Sequence, residues 1–112
     1  MVMKNSVAKA LFNSYTYSEY KNIISNLLFD GKSTGKEQSE DLLQYSTLNE
    51  IRLKRLDKTI TVPEEISYQL KEFEKEYIWL VIAEGWCGDA AQILPILNKM
   101  ALETDKIDLK IV

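Results

Sequence analysis

Histidine is missing from this chain altogether, and cysteine occurs once, at Cys87. Without imidazole there is no material for a His-based triad or for the usual acid/base chemistry near neutral pH. One thiol cannot build a zinc cage, nor can it close an internal disulfide. A lone free thiol survives best in a reducing compartment, so the expected home is the cytoplasm. The first residues, MVMKNSVAKALFNSYTY, lack the apolar core of a secretion signal, and no run approaches the ~18 apolar residues of a membrane span. Positive charge is also short: 14 Lys plus Arg stand against 17 Asp plus Glu, for a net charge of −3. With no broad positive field, neither nucleic acid nor an anionic membrane is expected as a partner.

What is present suits one domain, since 112 residues with 46% hydrophobic content can bury a core and leave little for a second. The pattern changes near residue 58. Before it the periods are helical: Ala8, Leu11, Phe12 and Tyr15 share one face, as do Tyr20, Ile23, Ile24, Leu27 and Leu28. Thr16 and Glu19 stand at capping-box spacing ahead of the second helix, and Asp30-Gly31 can end it. GKSTGK, residues 31 to 36, reads as an ordinary connection rather than a phosphate loop, because no strand precedes it and the Walker spacing is missing. A third helix is predicted from about Gln38 to Leu56, where Leu42, Tyr45, Leu48 and Ile51 recur every three positions and the buried face drifts. The basic cluster RLKRLDK, residues 52 to 58, falls at the end of that helix and complements its negative pole.

From Thr59 the text is α/β. Residues 59 to 62, Thr-Ile-Thr-Val, suit a short strand, and Pro63 can open the next helix, lined on one side by Ile66, Leu70 and Phe73. YIWLVIA, residues 77 to 83, is a continuous apolar run of the kind found in a parallel strand covered on both faces. Ala90, Ile93, Leu94, Leu97 and Ala101 give a helix, followed by the alternating strand IDLKIV, residues 107 to 112. Right-handed crossovers place the three strands in one parallel sheet.

Between the apolar strand and its helix lies EGWCGDAAQILP, residues 84 to 95. Trp86, Cys87 and Gly88 followed by a helix carrying Pro95 resemble the active-site segment of the thioredoxin superfamily, whose fingerprint is WCGPC. More closely, the segment resembles that of a bacterial group of thioredoxin-like proteins that read WCGDAAQ and carry a helical N-terminal extension, and DGKSTGKEQSEDLLQYSTLNEIRLKRLDK is similar to that extension. The resemblance implies an α/β fold: an incomplete thioredoxin-like βαβαβ unit with a three-stranded parallel sheet. Residues 1–58 form the helical extension and 59–112 the N-terminal half of the fold.

Measured against the family, Ala90 stands where the resolving cysteine belongs, Asp89 replaces the proline, and Val81 takes the place of the buried acid. An internal dithiol cycle is therefore excluded. A Cys87 thiolate can attack a disulfide, and only an outside thiol can then release it. The antiparallel hairpin, final helix and cis-proline loop of the family have no counterpart in these residues, so the chain is expected to be a piece or truncated form of a longer protein. Its 77 to 83 strand would lie at an unpaired edge, where an apolar edge invites pairing with a second copy.

The chemistry expected of Cys87 is modest. A helix N-terminus favours the thiolate by about 0.3 to 1 kcal/mol, while a carboxylate such as Asp89 ~6 Å away opposes it by about 0.7 kcal/mol. No lysine or arginine lies between Ile78 and Leu97 to tip the balance. Asp89 either stabilises the helix's first turn or takes part in proton transfer. Glu84 is either a proton acceptor or a solvated loop residue, Trp86 shields one side of the thiol if it keeps the family role or simply packs against neighbouring loops, and Gly88 lets the backbone come close to a partner or relaxes the turn. Three functions follow: a monothiol oxidoreductase or thiol carrier acting on a protein disulfide, a protein thiol or a small thiol such as glutathione; a redox-inert interaction module; and a sensor that forms sulfenic acid. No cofactor or metal is called for.

Overall fold

The computed structural model describes residues 2–112, with side chains from Asn5 onward. Five helices and two strands follow one another: α1 (Val2–Phe12), α2 (Tyr17–Phe29), α3 (Glu40–Thr59), α4 (Glu64–Lys71), β1 (Tyr77–Val81), α5 (Gly88–Leu102) and β2 (Ile107–Ile111).

Local signals fix α2 as its sequence implies. Thr16 Oγ1 accepts from the Glu19 N–H at 3.1 Å and Glu19 Oε1 accepts from the Thr16 N–H at 2.9 Å, a complete capping box. The hydrogen bonds to Thr16 hold the Glu19 carboxyl below its usual range. At the other end Gly31, with φ of 72°, turns the chain, and the N–H groups of Gly31 and Lys32 return to the carbonyls of Leu28 and Leu27. Tyr20 and Ile24 are buried as expected, and Tyr17 joins them. The face predicted for α1 does not form: Phe12 is 89% exposed, and Tyr15 lies beyond the helix.

The sheet has two strands, not three. β1 and β2 run parallel, with Tyr77 opposite Ile107 and Val81 opposite Ile111, joined through α5. Residues 59 to 62 make no strand because α3 runs on through Thr59, whose hydroxyl donates to the Arg55 carbonyl while the Ile60 N–H donates to Leu56. The carbonyl of Ile60 accepts from Lys99 instead of from a neighbouring strand. The free side of β2 is met by Tyr15, whose N–H and C=O both pair with Ile111, at 2.7 and 2.8 Å. One residue of the helical layer thus joins the sheet.

Inward residues of β2, Ile107, Leu109 and Ile111, are buried in alternation as the sequence implies. β1 is less covered than its composition suggests. Tyr77 and Ile78 are exposed and Ile82, just past its end, is 84% exposed. The molecule is flat, 45 × 41 × 18 Å, and its thin dimension holds about two layers spaced 8–10 Å apart, so one face of β1 has no third layer over it. No helix among the described residues is long and apolar enough to cross a membrane.

Most of the helical packing falls to α3, which lies against α5 and α2. Its buried residues are Ser46, Asn49 and Leu53, whereas of the apolar series of the sequence Leu42 is half-buried and Tyr45, Leu48 and Ile51 face outward. α2 and α3 are tied by Asp57, which accepts from the Tyr17 hydroxyl at 2.8 Å and from Lys21 Nζ at 2.9 Å. Lys21 also sits 4.6 Å from the centre of the Tyr17 ring. Burial, then the Asp57 hydrogen bond, pushes the Tyr17 phenol upward. Removing the carboxylate in Asp57→Ala leaves two donors without their acceptor and is expected to cost about 1–3 kcal/mol in urea unfolding, whereas Tyr17→Phe, which loses one bond, costs about 1 kcal/mol.

Candidate functional site

Beyond Val81 the parallel ladder continues one step, with the Ala83 N–H on the Val112 carbonyl at 3.0 Å, and the chain then turns through Glu84, Gly85, Trp86 and Cys87. The turn closes with the Cys87 N–H on the Glu84 carbonyl at 3.0 Å. Cys87 is the N-cap of α5: its backbone is extended, at φ −83° and ψ 116°, and its carbonyl accepts from the Ala91 N–H. The thiol makes no capping hydrogen bond, so it stands half-buried at the positive end of the helix with its sulfur uncommitted. Trp86 is 38% exposed beside it, Asp89 is exposed in the first turn, and Ala90 follows, half-buried. Pro95 is fully buried inside α5, and Val81 ends β1 half-buried.

Residues far away in sequence hold this turn. Gly85 is buried, and both of its backbone polar groups are taken by side chains from the helical layer. Its N–H donates to Thr34 Oγ1 at 2.8 Å, and its carbonyl accepts from Asn49 Nδ2 at 3.0 Å. A side chain at this position would meet Ile24 of α2 and Thr34 at 3.4 Å, so the backbone is flanked from two sides. The Thr34 hydroxyl in turn donates a hydrogen bond to Glu84 Oε2 at 2.5 Å. Glu84 is therefore not a solvated loop residue. It is half-buried and bound to the 31–36 loop, whose Gly35 lies against the same carboxylate.

That loop is itself anchored, which its reading as a plain connection did not anticipate. Ser33 is buried, its hydroxyl 2.7 Å from that of buried Ser46 on α3, and Gln38 bonds the Ser33 N–H and the carbonyls of Ser33 and Gly35. Ser46 and Asn49, one turn apart on α3, thus serve the loop and the turn respectively. No apolar periodicity reveals them. A Ser-x-x-Asn-x-x-Arg stripe on one helical face was the available signal.

Arg52 completes the arrangement. It donates from Nη1 to Asn49 Oδ1 at 3.0 Å, and the same nitrogen lies 3.3 Å from where a Cβ on Gly88 would be. Gly88 therefore admits a guanidinium close to the first residue of α5. The sequence reading assigned residues 52 to 58 to the C-terminal pole of α3, but only Lys58 lies in the last turn. Arg52 points instead at the Cys87 segment, so the absence of cations between Ile78 and Leu97 does not leave the turn without one.

Tyr20 reaches the turn from α2, one helical turn before Ile24. Its phenol is pushed up to about 12, chiefly by burial and then by the negative charges of Glu84 and of Cys87. Since this value lies above the ordinary 10.0, the stability gained by keeping the phenol neutral is complete below about pH 10 and is lost as pH rises through about 12. In Tyr20→Phe, urea unfolding followed from pH 8 to 12 is expected to lose part of this alkaline arm, with the share owed to Tyr17 remaining.

A family model described as Thioredoxin matches residues 35–112. No curated protein matches the chain, and no solved structure does. The match begins at Gly35, so it takes in α3, with Asn49 and Arg52, as well as the strands, the Trp86-Cys87-Gly88 turn and α5. Two parallel strands joined through a helix that starts at a cysteine are consistent with that match, and by it the chain belongs to the thioredoxin family.

Proposed function

We propose that this protein is a monothiol thiol–disulfide exchange protein of the thioredoxin family, acting through Cys87. The supporting observation is the place of Cys87: half-buried, its thiol making no capping hydrogen bond, and at the start of α5 just beyond the end of a parallel strand. In the first step the Cys87 thiolate attacks one sulfur of a partner disulfide, a new S–S bond forms, and the other partner sulfur leaves as thiolate. A thiolate from a second molecule then attacks the mixed disulfide, restoring Cys87 and carrying away the oxidised pair. Ala90 provides no sulfur for an internal release, so the reductant comes from outside, as a protein thiol or a small thiol such as glutathione.

Within this reading Trp86 covers one flank of the sulfur and Gly88 keeps the backbone approachable. Glu84, held by Thr34, is the nearest base on the turn, and Asp89 stabilises the first turn of α5. The WCGDAAQ segment and the helical layer ahead of it support a likeness to bacterial thioredoxin-like proteins with such an extension, residues 1–58 being the extension and 59–112 the N-terminal half of the fold. A reducing cytoplasm suits its unpaired thiol. The uncovered β1 edge, with Tyr77, Ile78 and Ile82 exposed, suits pairing with a second copy.

A second reading draws on a different feature. Tyr45, Leu48 and Ile51 form an exposed apolar stripe on α3, and with Trp86 they suit a redox-inert interaction module. The two separate on one experiment. Incubated with glutathione disulfide, the wild-type protein is expected to gain one glutathione on Cys87 by mass spectrometry and to lose it on adding dithiothreitol, while Cys87→Ser gains none. A thiol that stays unmodified until the protein is denatured would sink the exchange reading and leave the interaction module.

A further inference from the structure

Arg52 is a half-buried cation without a carboxylate within ion-pair distance among the described residues. Its one hydrogen bond goes to the neutral amide of Asn49, and a guanidinium has five donors. It is also in the wrong place for helix stability. Seven residues before the end of α3 it does nothing for that helix's negative pole, and beside Gly88 it stands at the positive pole of α5, where a cation is unfavourable. Packing alone would be met as well by a neutral side chain. What suits a guanidinium there is an anion at the start of α5: Asp89 in the first turn is not within ion-pair distance of it, and the other group there that becomes an anion is Cys87, the neighbour of Gly88 in the chain.

We propose that Arg52, reaching across from α3, is a positioning residue that supplies the counter-charge for the Cys87 thiolate. This rests on the exchange reading above and deepens it by naming the source of the thiol's activation. The other charged and titratable groups facing the turn are Tyr20 from α2, Glu84 on the turn itself and Asp89 in the first turn of α5. Two of these are carboxylates and oppose the thiolate, so a cation from α3 is the counterweight. Asn49 fixes it: one amide side chain grips the Gly85 carbonyl and the guanidinium together, so the turn and its counter-charge are set by the same residue.

The test is alkylation of the single thiol with neutral iodoacetamide across pH 5.5 to 9.5, in wild type, Arg52→Gln and Arg52→Lys, at low and high salt. A unit charge ~6 Å away in a water-like medium is worth about threefold in a protonation equilibrium. Arg52→Gln is therefore expected to move the midpoint of the rate curve up by about half a pH unit, with about threefold slower reaction on its acidic limb and an unchanged alkaline plateau. Arg52→Lys restores part of the shift, and the gap between the wild-type and Arg52→Gln curves narrows at high salt. A curve for Arg52→Gln that overlies the wild type, or one lowered equally at every pH, overturns the proposal. If Arg52→Gln does not fold, Arg52→Met, which keeps the length of the side chain without its charge, decides: a midpoint equal to that of the wild type overturns it. A reactive wild-type thiol with an unchanged Arg52→Gln curve removes the counter-charge and leaves the exchange reading standing. A wild-type Cys87 that takes up no glutathione removes both.

Discussion

Gly85 is the hinge on which the structure depends. Its N–H and its carbonyl would otherwise be buried without partners, at a cost of about 1–3 kcal/mol each, and local secondary structure satisfies neither. Thr34 and Asn49 do so from 51 and 36 residues away. Because the hydrogen bonds run from fixed side chains to the backbone, they set where the turn sits and therefore where α5 begins. The position of Cys87 is a consequence of side chains in the helical layer as much as of the strand that leads to it.

This arrangement explains why α3 has an unusual buried face. A helix that only packed would bury its apolar residues, and Tyr45, Leu48 and Ile51 were available. It buries Ser46 and Asn49 instead, each with its hydrogen bonds made: Ser46 to Ser33 of the loop, Asn49 to Gly85 of the turn. Leu53 supplies the apolar contact at the same face. The loop and the turn then meet through Thr34 and Glu84, so the 31–36 segment, α3 and the start of α5 form one hydrogen-bonded unit. Satisfied buried polar groups of this sort specify one arrangement, because any slip of α3 along α5 would leave several of them unpaired at once.

Legibility in the sequence followed the range of the interactions. The capping box of α2, its glycine stop, the β1–α5–β2 order and the cysteine at a helix start are local features, and each was readable from a few adjacent residues. The strand at 59 to 62 was misread for a local reason as well. Thr-Ile-Thr-Val has β character, but α3 had already run through Asp57 and Lys58 with its hydrogen bonds in place, and propagation of a formed helix is favourable. The expected partner edge on β2 is touched by Tyr15 instead. The clamp on Gly85, the bound state of Glu84 and the approach of Arg52 were not readable. They join groups 36 to 51 residues apart in the chain, and no periodicity encodes such a pair.

A fixed turn also suits the chemistry proposed for it. In a dithiol protein the start of the helix must hold two sulfurs in a geometry that suits both the oxidised and the reduced forms. With Ala90 in that position no internal sulfur has to approach, and the incoming partner does all the moving. Rigidity around Gly85 then carries no kinetic cost for the exchange, while it keeps the sulfur, the helix pole and the flanking charges in one geometry for whatever disulfide arrives. The polar clamp and the single thiol are therefore parts of the same design: what the turn gives up in mobility, a monothiol cycle does not require.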